Sequence, residues 1–240
     1  MNYHWNWGIF FQLSPDGVHT YLGTLLAGLG WTVATALSAW LMALALGIAV
    51  GTVRSLPGAW PQRLASGYVE LFRNIPLLVQ MFLWFFVLPE LLPVAAGDAL
   101  KALPNASFLT ATICLGFFTS ARVAVQVAAG IDAVAACHKL AARALGMRLS
   151  QVYRFVLLPL GLRIVLPPLT SEFLNVIKNS SVALTIGLME LTASARAVQE
   201  FSFQVFEAFT AATVIYLLVN LATVTLMRVI ERRTALVGGA

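Results

Sequence analysis

One apolar stretch holds the chain's most suggestive polar chemistry: Glu172, Asn175 and Lys178. A carboxylate can meet an ammonium group, an ammonium can attract a carboxylate, and an amide both donates and accepts. Asn175 and Lys178 are three residues apart, so a helix puts them on one face. The run that carries these residues, Phe155 to about Ile177, is broken by Pro159, Pro167 and Pro168. Ionisable groups at membrane depth are costly and face a cavity or one another. Prolyl breaks free backbone groups that can line a water-filled site. Two readings follow. The three residues bind a small polar solute, or Glu172 pairs with Arg122 or Arg163 and fixes helix packing.

Other chemistries lack their residues. None of the three lysines (Lys101, Lys139, Lys178) follows a glycine, so no GK[ST] loop is present to cradle phosphates. There is no HExxH, no GxGD and no pair of aspartates in an apolar run. His4, His19 and His138 all lie outside such runs. Cys114 sits in an apolar run and Cys137 in a basic loop, with no CxxC, and both read as free thiols.

The elements that must position these residues are membrane helices. Of 240 residues, 60% are hydrophobic and only 10% charged, and the mean hydropathy is +0.85. A soluble domain carries about 25% charged residues, so lipid must solvate much of this surface. The net charge of +5 is scattered in short segments between apolar runs, a pattern that reads as topology and not as a nucleic-acid stripe. The first twelve residues contain no Lys or Arg but include Tyr3, Trp5, Trp7, Phe10 and Phe11. That is a membrane-interface segment and not a signal peptide.

An all-α, polytopic bundle of five spans is expected, at about 29–53, 70–88, 108–129, 155–177 and 209–228. Charges vanish from Asp16 to Arg54, longer than the roughly 20 residues a span needs, and residues 1–27 are expected to approach along the interface. The remaining pieces are a main membrane domain over 28–231 and a tail over 232–240. Within the first span Ala43, Gly47 and Gly51 recur every four residues, a small-xxx-small stripe suited to close helix contact. An outside N-terminus places Arg54, Arg63, Arg73, Lys139, Arg143, Arg148, Arg154, Arg228, Arg232 and Arg233 inside, and only Lys101 and Arg196 outside. This positive-inside bias predicts a periplasmic N-terminus and a cytoplasmic C-terminus.

The loop over 131–153 then faces the cytoplasm. Asp132 is suited to start a helix, the Ala-rich stretch to Leu145 favours one, Gly146 supplies a left-handed end, and Ser150 can cap the next helix at Gln151. Val134, Cys137, Ala141 and Leu145 form a weak apolar stripe beside Lys139 and Arg143, a surface that invites a protein partner.

These residues carry a resemblance. Leu140-Ala-Ala-Arg-Ala-Leu-Gly146, followed by Leu157-Leu-Pro159, resembles the EAA loop of bacterial ABC importer permeases. Gly28-Leu-Gly-Trp-Thr32 and Glu70-Leu-Phe-Arg-Asn-Ile-Pro-Leu77 resemble the polar amino acid branch. So do Arg163 to Thr170, Glu172, Asn175 and Lys178-Asn-Ser-Ser-Val182. The glutamate/aspartate importers are the nearest match within that branch. The chain departs at Leu140, where the family carries an acidic residue.

The resemblance implies a non-enzymatic transport subunit of the inner membrane with no cofactor of its own. ATP and Mg would be bound by a cytoplasmic ATPase dimer, onto which Lys139, Leu140, Ala141, Ala142, Arg143, Leu145 and Gly146 would dock as a coupling loop. It implies two further partners: a second permease subunit, identical or related, and a periplasmic amino-acid-binding protein. A secondary transporter is the alternative, but it would show internal repeats and more spans, and the chain shows neither.

Overall fold

The computed structural model describes residues 3–15 and 17–234. Asp16 and the tail residues 235–240 therefore lie outside the described residues. Helices dominate: α1 Tyr21–Ser55, α2 Ala59–Asn74, α3 Leu77–Leu91, α4 Val94–Lys101, α5 Ala106–Ala133, α6 Ala136–Ala144, α7 Leu149–Ile164, α8 Leu166–Ile186, α9 Leu191–Ser202 and α10 Val205–Thr234. A single bridge, Leu13 with Thr20, is the only β pairing among the described residues.

Three helices are each long and apolar enough to cross a bilayer: α1, α5 and α10. Two bent pairs bring the number to five if each pair crosses once: α2 with α3 at 97°, and α7 with α8 at 63°. The sequence reading of 70–88 as one run thus conceals a sharp corner. Pro76 is its cause, since a residue before proline is driven out of the helical region, and Ile75 has φ −95° and ψ 128°. The second corner falls at Val165, just ahead of Pro167 and Pro168. Each pair also contains a π-helical turn, Leu83–Val87 and Tyr153–Leu157, ending two residues before Pro89 and Pro159. Wide turns of this kind absorb the hydrogen bond that a proline cannot make.

The first helix starts earlier than expected. Gly23 and Gly28 do not interrupt it, and α1 runs unbroken from Tyr21. Two loop expectations are also corrected. Asp132 starts no helix, because α5 continues through it to Ala133. Ser150 is not a cap either: α7 begins at Leu149, and the Arg148 N–H donates to Gln151 Oε1 at 2.8 Å.

Contacts divide the chain into two units of interleaved segments. The first comprises residues 1–39, 77–115 and 176–222. Its core joins Ile9, Tyr21, Leu25, Leu191, Ala195, Val198, Ala208 and Ala212. The aromatic N-terminal segment is fastened here, with the Tyr3 hydroxyl and the Asn6 N–H (2.7 Å) both donating to buried Glu207 at the start of α10. Trp5 and Trp7 stack at 5.7 Å, with Phe206 against Trp5.

The second unit comprises 40–76, 116–175 and 223–240. Here the small-residue stripe of α1 meets α5. A Cβ on Gly47 would fall 2.5 Å from Val123 Cγ1, and one on Gly51 would fall 2.6 Å from the Ala124 carbonyl oxygen. Neither distance is tolerable. Trp40 stacks on Phe173 at 5.1 Å, and Tyr68 and Ser120 hydrogen-bond at 2.6 Å. Gly47→Ala should therefore destabilise the protein by about 1–3 kcal/mol through overpacking. Gly30→Ala, where a Cβ meets nothing within 4 Å, should be neutral or gain up to about 1 kcal/mol. Unfolding in mixed micelles measures both, and equal behaviour of the two variants would refute the close contact.

Candidate functional site

The loop helix α6 is held to the second unit on one side only. Ala142 is its one buried residue, at 4% exposure, and Lys139 one turn earlier is half-buried. Cys137, Ala141, Arg143 and Ala144 are exposed. Leu140 is 66% exposed and Leu145, the residue that ends the helix, 81%. The apolar surface of α6 thus points away from its own fold. Val134, expected on that stripe, is buried in the break between α5 and α6.

The end of α6 is rigidly made. Gly146 has φ +75°, its N–H donates to the Arg143 carbonyl at 2.9 Å, and the Met147 N–H donates to the Ala142 carbonyl at 3.2 Å. This is the Schellman pattern, which satisfies carbonyls a helix end leaves open. Beyond the turn, the Tyr153 hydroxyl donates to the Ser55 carbonyl at 2.6 Å, tying the π-helical turn of α7 to the end of α1.

A polar cavity of about 300 Å³ lies elsewhere in the same unit, lined by Arg73, Arg122, Val125, Gln126 and Glu172. The Arg122 guanidinium stacks over Phe118, 4.7 Å from the ring centroid, and its Nη1 lies 4.0 Å from Glu172 Oε2. That separation is the outer limit of an ion pair. Gln126 Nε2 donates to Glu172 Oε1 at 3.3 Å, while Gln126 Oε1 is buried with no donor. A buried amide oxygen without a donor is costly. Two guanidinium groups, one carboxylate and the Gln126 amide therefore line one space.

Of the three residues expected to contact solute, Glu172 lines this cavity. Asn175 is half-buried and Lys178 exposed, and neither is among its lining residues. The pairing of Glu172 with Arg122 is present at long range, whereas Arg163 lines a different cavity with Glu231 and Arg232. In the sequence Arg73 reads as a flanking charge and Arg122 as a packing partner for Glu172. Gln126 carried no signal, being one amide in an apolar run.

Glu190 was also missed. It is fully buried in the first unit and caps α9, accepting from Thr192 N–H (2.9 Å), Ala193 N–H (2.8 Å) and the Tyr216 hydroxyl (2.9 Å). Burial pushes its carboxyl above the usual range, and the three donors oppose that rise. Capping patterns favour Ser, Thr, Asp and Asn, so a glutamate in that role escapes them.

Comparison with known proteins adds the following. Residues 43–236 match the family described as "Binding-protein-dependent transport system inner membrane component". The chain is 44% identical to the glutamate/aspartate import permease protein GltJ of Escherichia coli (strain K12), over 99% of this chain and 98% of that protein. It is 32% identical to the probable glutamine ABC transporter permease protein GlnM of Bacillus subtilis (strain 168), over 93% and 94%. Among solved structures, an amino acid ABC transporter with histidines superposes with a TM-score of 0.76 at 28% identity, covering 89% of this chain and 95% of that one. The MetNI methionine ABC transporter superposes with a TM-score of 0.72 at 18% identity, covering 93% and 100%, a likeness of fold.

Proposed function

The chain belongs to the binding-protein-dependent transport system inner membrane components, and from that premise we propose that it carries glutamate and aspartate inward on energy delivered through α6. It is a non-catalytic, multi-pass permease subunit of an ABC importer in the inner membrane, of the polar amino acid branch. An ATPase and a solute-binding protein are its partners in general.

The carrying observation is α6 itself: a short helix fixed by Ala142, closed by Gly146, with Leu140 and Leu145 bare. Lys139, Leu140, Ala141, Arg143, Leu145 and Gly146 form the surface that docks on a cytoplasmic ATPase dimer, while Ala142, expected among them, faces inward and anchors the helix. ATP and Mg belong to that dimer, a reading supported by the lack of any glycine–lysine phosphate loop in this sequence. Leu140 stands where the family has an acid, so the contact here is more apolar. A second permease subunit, a copy or a related chain, completes the path. The 28–231 region is the working membrane domain, with the N-terminus periplasmic and the C-terminus cytoplasmic, on the strength of the ten-to-two distribution of basic residues around the spans.

Burying a leucine side chain is worth about 1.5–3 kcal/mol. Leu140→Asp with Leu145→Asp should therefore weaken ATPase association about 100-fold or more. Co-purification from detergent checks this, with Phe11→Asp, exposed elsewhere, as the control. Full recovery of the ATPase with the double variant would remove α6 as the docking surface.

The substrate assignment rests on the cavity. A dicarboxylic amino acid brings two carboxylates and one ammonium, and Arg73 and Arg122 suit the first as Glu172 suits the second. Asn175 and Lys178, further along α8, are contacts made before or after this position is occupied. A hydrogen bond to a charged group contributes about 1.5–3 kcal/mol, so Arg73→Gln or Arg122→Gln should lower binding-protein-dependent glutamate uptake about tenfold or more. ATP hydrolysis without solute should persist. Undiminished uptake by the Arg73→Gln, Arg122→Gln double variant would sink the cavity as the solute site. Lys178→Ala with full uptake would strike Lys178 from the path.

A further inference from the structure

A second cavity in the same unit, about 340 Å³, has no place in the transport reading. It is lined by Arg163, Ile164, Leu166, Pro167, Glu231, Arg232 and Thr234, from the end of α7, the start of α8 and the last turn of α10. Its walls are chiefly apolar: Ile164 is exposed, and Pro167 and Leu166 continue the surface. Arg163 and Arg232 are both exposed and make no ion pair within the described residues. Glu231 is the one acid present, and its Oε1 accepts from the Thr170 hydroxyl at 2.7 Å. The backbone contributes as well. Pro167 and Pro168 have no N–H, so the Arg163 and Ile164 carbonyls cannot receive their ordinary i+4 bonds.

Together these features describe a ligand with an apolar body, a negative head and hydroxyl donors. The geometry points to an anionic phospholipid, with a glycerol headgroup such as that of phosphatidylglycerol, seated between the ends of α7 and α10. Arg163 and Arg232 flank its phosphate, while the Ile164–Pro167 surface meets an acyl chain. The headgroup hydroxyls donate to carbonyls freed by the two prolines. Basic pockets between membrane helices hold anionic heads in this manner. Charge complementarity selects this occupant over a zwitterionic lipid, because the cationic rim attracts either phosphate but opposes the ammonium group that a zwitterionic head adds. Glu231 opposes the anion in part, and its bond to Thr170 gives that carboxylate a partner of its own.

The experiment uses the assembled transporter in nanodiscs of phosphatidylcholine, with and without phosphatidylglycerol. Native mass spectrometry counts retained lipid, and thermal unfolding follows its effect. Phosphatidylglycerol should remain bound and raise the unfolding midpoint. Each arginine near an anionic head is worth about fivefold in binding, so Arg163→Gln with Arg232→Gln should reduce the preference about 30-fold. Arg228→Gln with Arg233→Gln removes the same charge outside the cavity lining and should retain the preference. Equal loss in both double variants would indicate a diffuse basic surface and overturn the site. So would a midpoint raised equally by soluble glycerophosphate, which would show a phosphate-ester site without lipid. A partner chain protecting this groove in the assembled complex, with no lipid retained, would overturn it too. Should the double variant fail to assemble, Arg232→Gln alone carries the test: about fivefold loss supports the site, and an unchanged preference refutes it.

Discussion

Two leucines that their own fold does not cover set the terms for this protein. Leu140 and Leu145 stand in the open on α6, while Ala142, between them in sequence, turns inward. Burying such side chains elsewhere releases free energy comparable to a substantial part of a binding equilibrium. A helix of nine residues is too short to be stable by itself, so its shape depends on the Ala142 contact and the bonds closing at Gly146. Force applied to α6 is thereby passed to a defined turn, and the Tyr153–Ser55 bond leads from that turn to the end of α1. The proposed transfer of mechanical work through α6 requires such a stiff connection, because a floppy loop would dissipate the movement of a partner.

The same economy of attachment governs the membrane helices. Backbone groups in hydrocarbon must be satisfied within the protein, and straight helices do this without help. The corners at Pro76 and at Val165 depart from it, and each stands near arginine: Arg73 before one, Arg163 before the other. Broken helices thus bring charge to cavities that unbroken helices would fill with apolar side chains. In the Arg73–Arg122–Glu172 cavity the charges face one another across open space. Arg122 and Glu172 pair only at the outer limit, 4.0 Å.

Much of this was legible in the residues. Composition required membrane helices, and the Ala-rich stretch ending at Gly146 specified a short helix with a left-handed stop, as found. The 47/51 stripe announced a close helix contact, and Val123 and Ala124 supply it. What escaped depends on tertiary placement. Hydropathy averages over a window and is blind to direction, so the 97° corner at Pro76 vanished into one run. Arg73 looked like a flank because charge position along the chain says nothing of the cavity it faces. Glu172 was found because a lone acid in an apolar run is conspicuous, whereas Gln126, neutral and common, was not. The caps at Glu190 and Arg148 use residue types outside the usual capping set, and local pattern could not reveal them.

Cys137 offers a direct probe of the central claim, since it is exposed on α6 and the other cysteine, Cys114, is buried. A membrane-impermeant, photoactivatable maleimide is applied to sealed inside-out vesicles carrying the assembled transporter, followed by illumination. The account predicts that the reagent reaches Cys137 in those vesicles and that light joins this chain to the ATPase. Labelling only from the opposite membrane face, or a cross-link to the solute-binding protein in place of the ATPase, would contradict it.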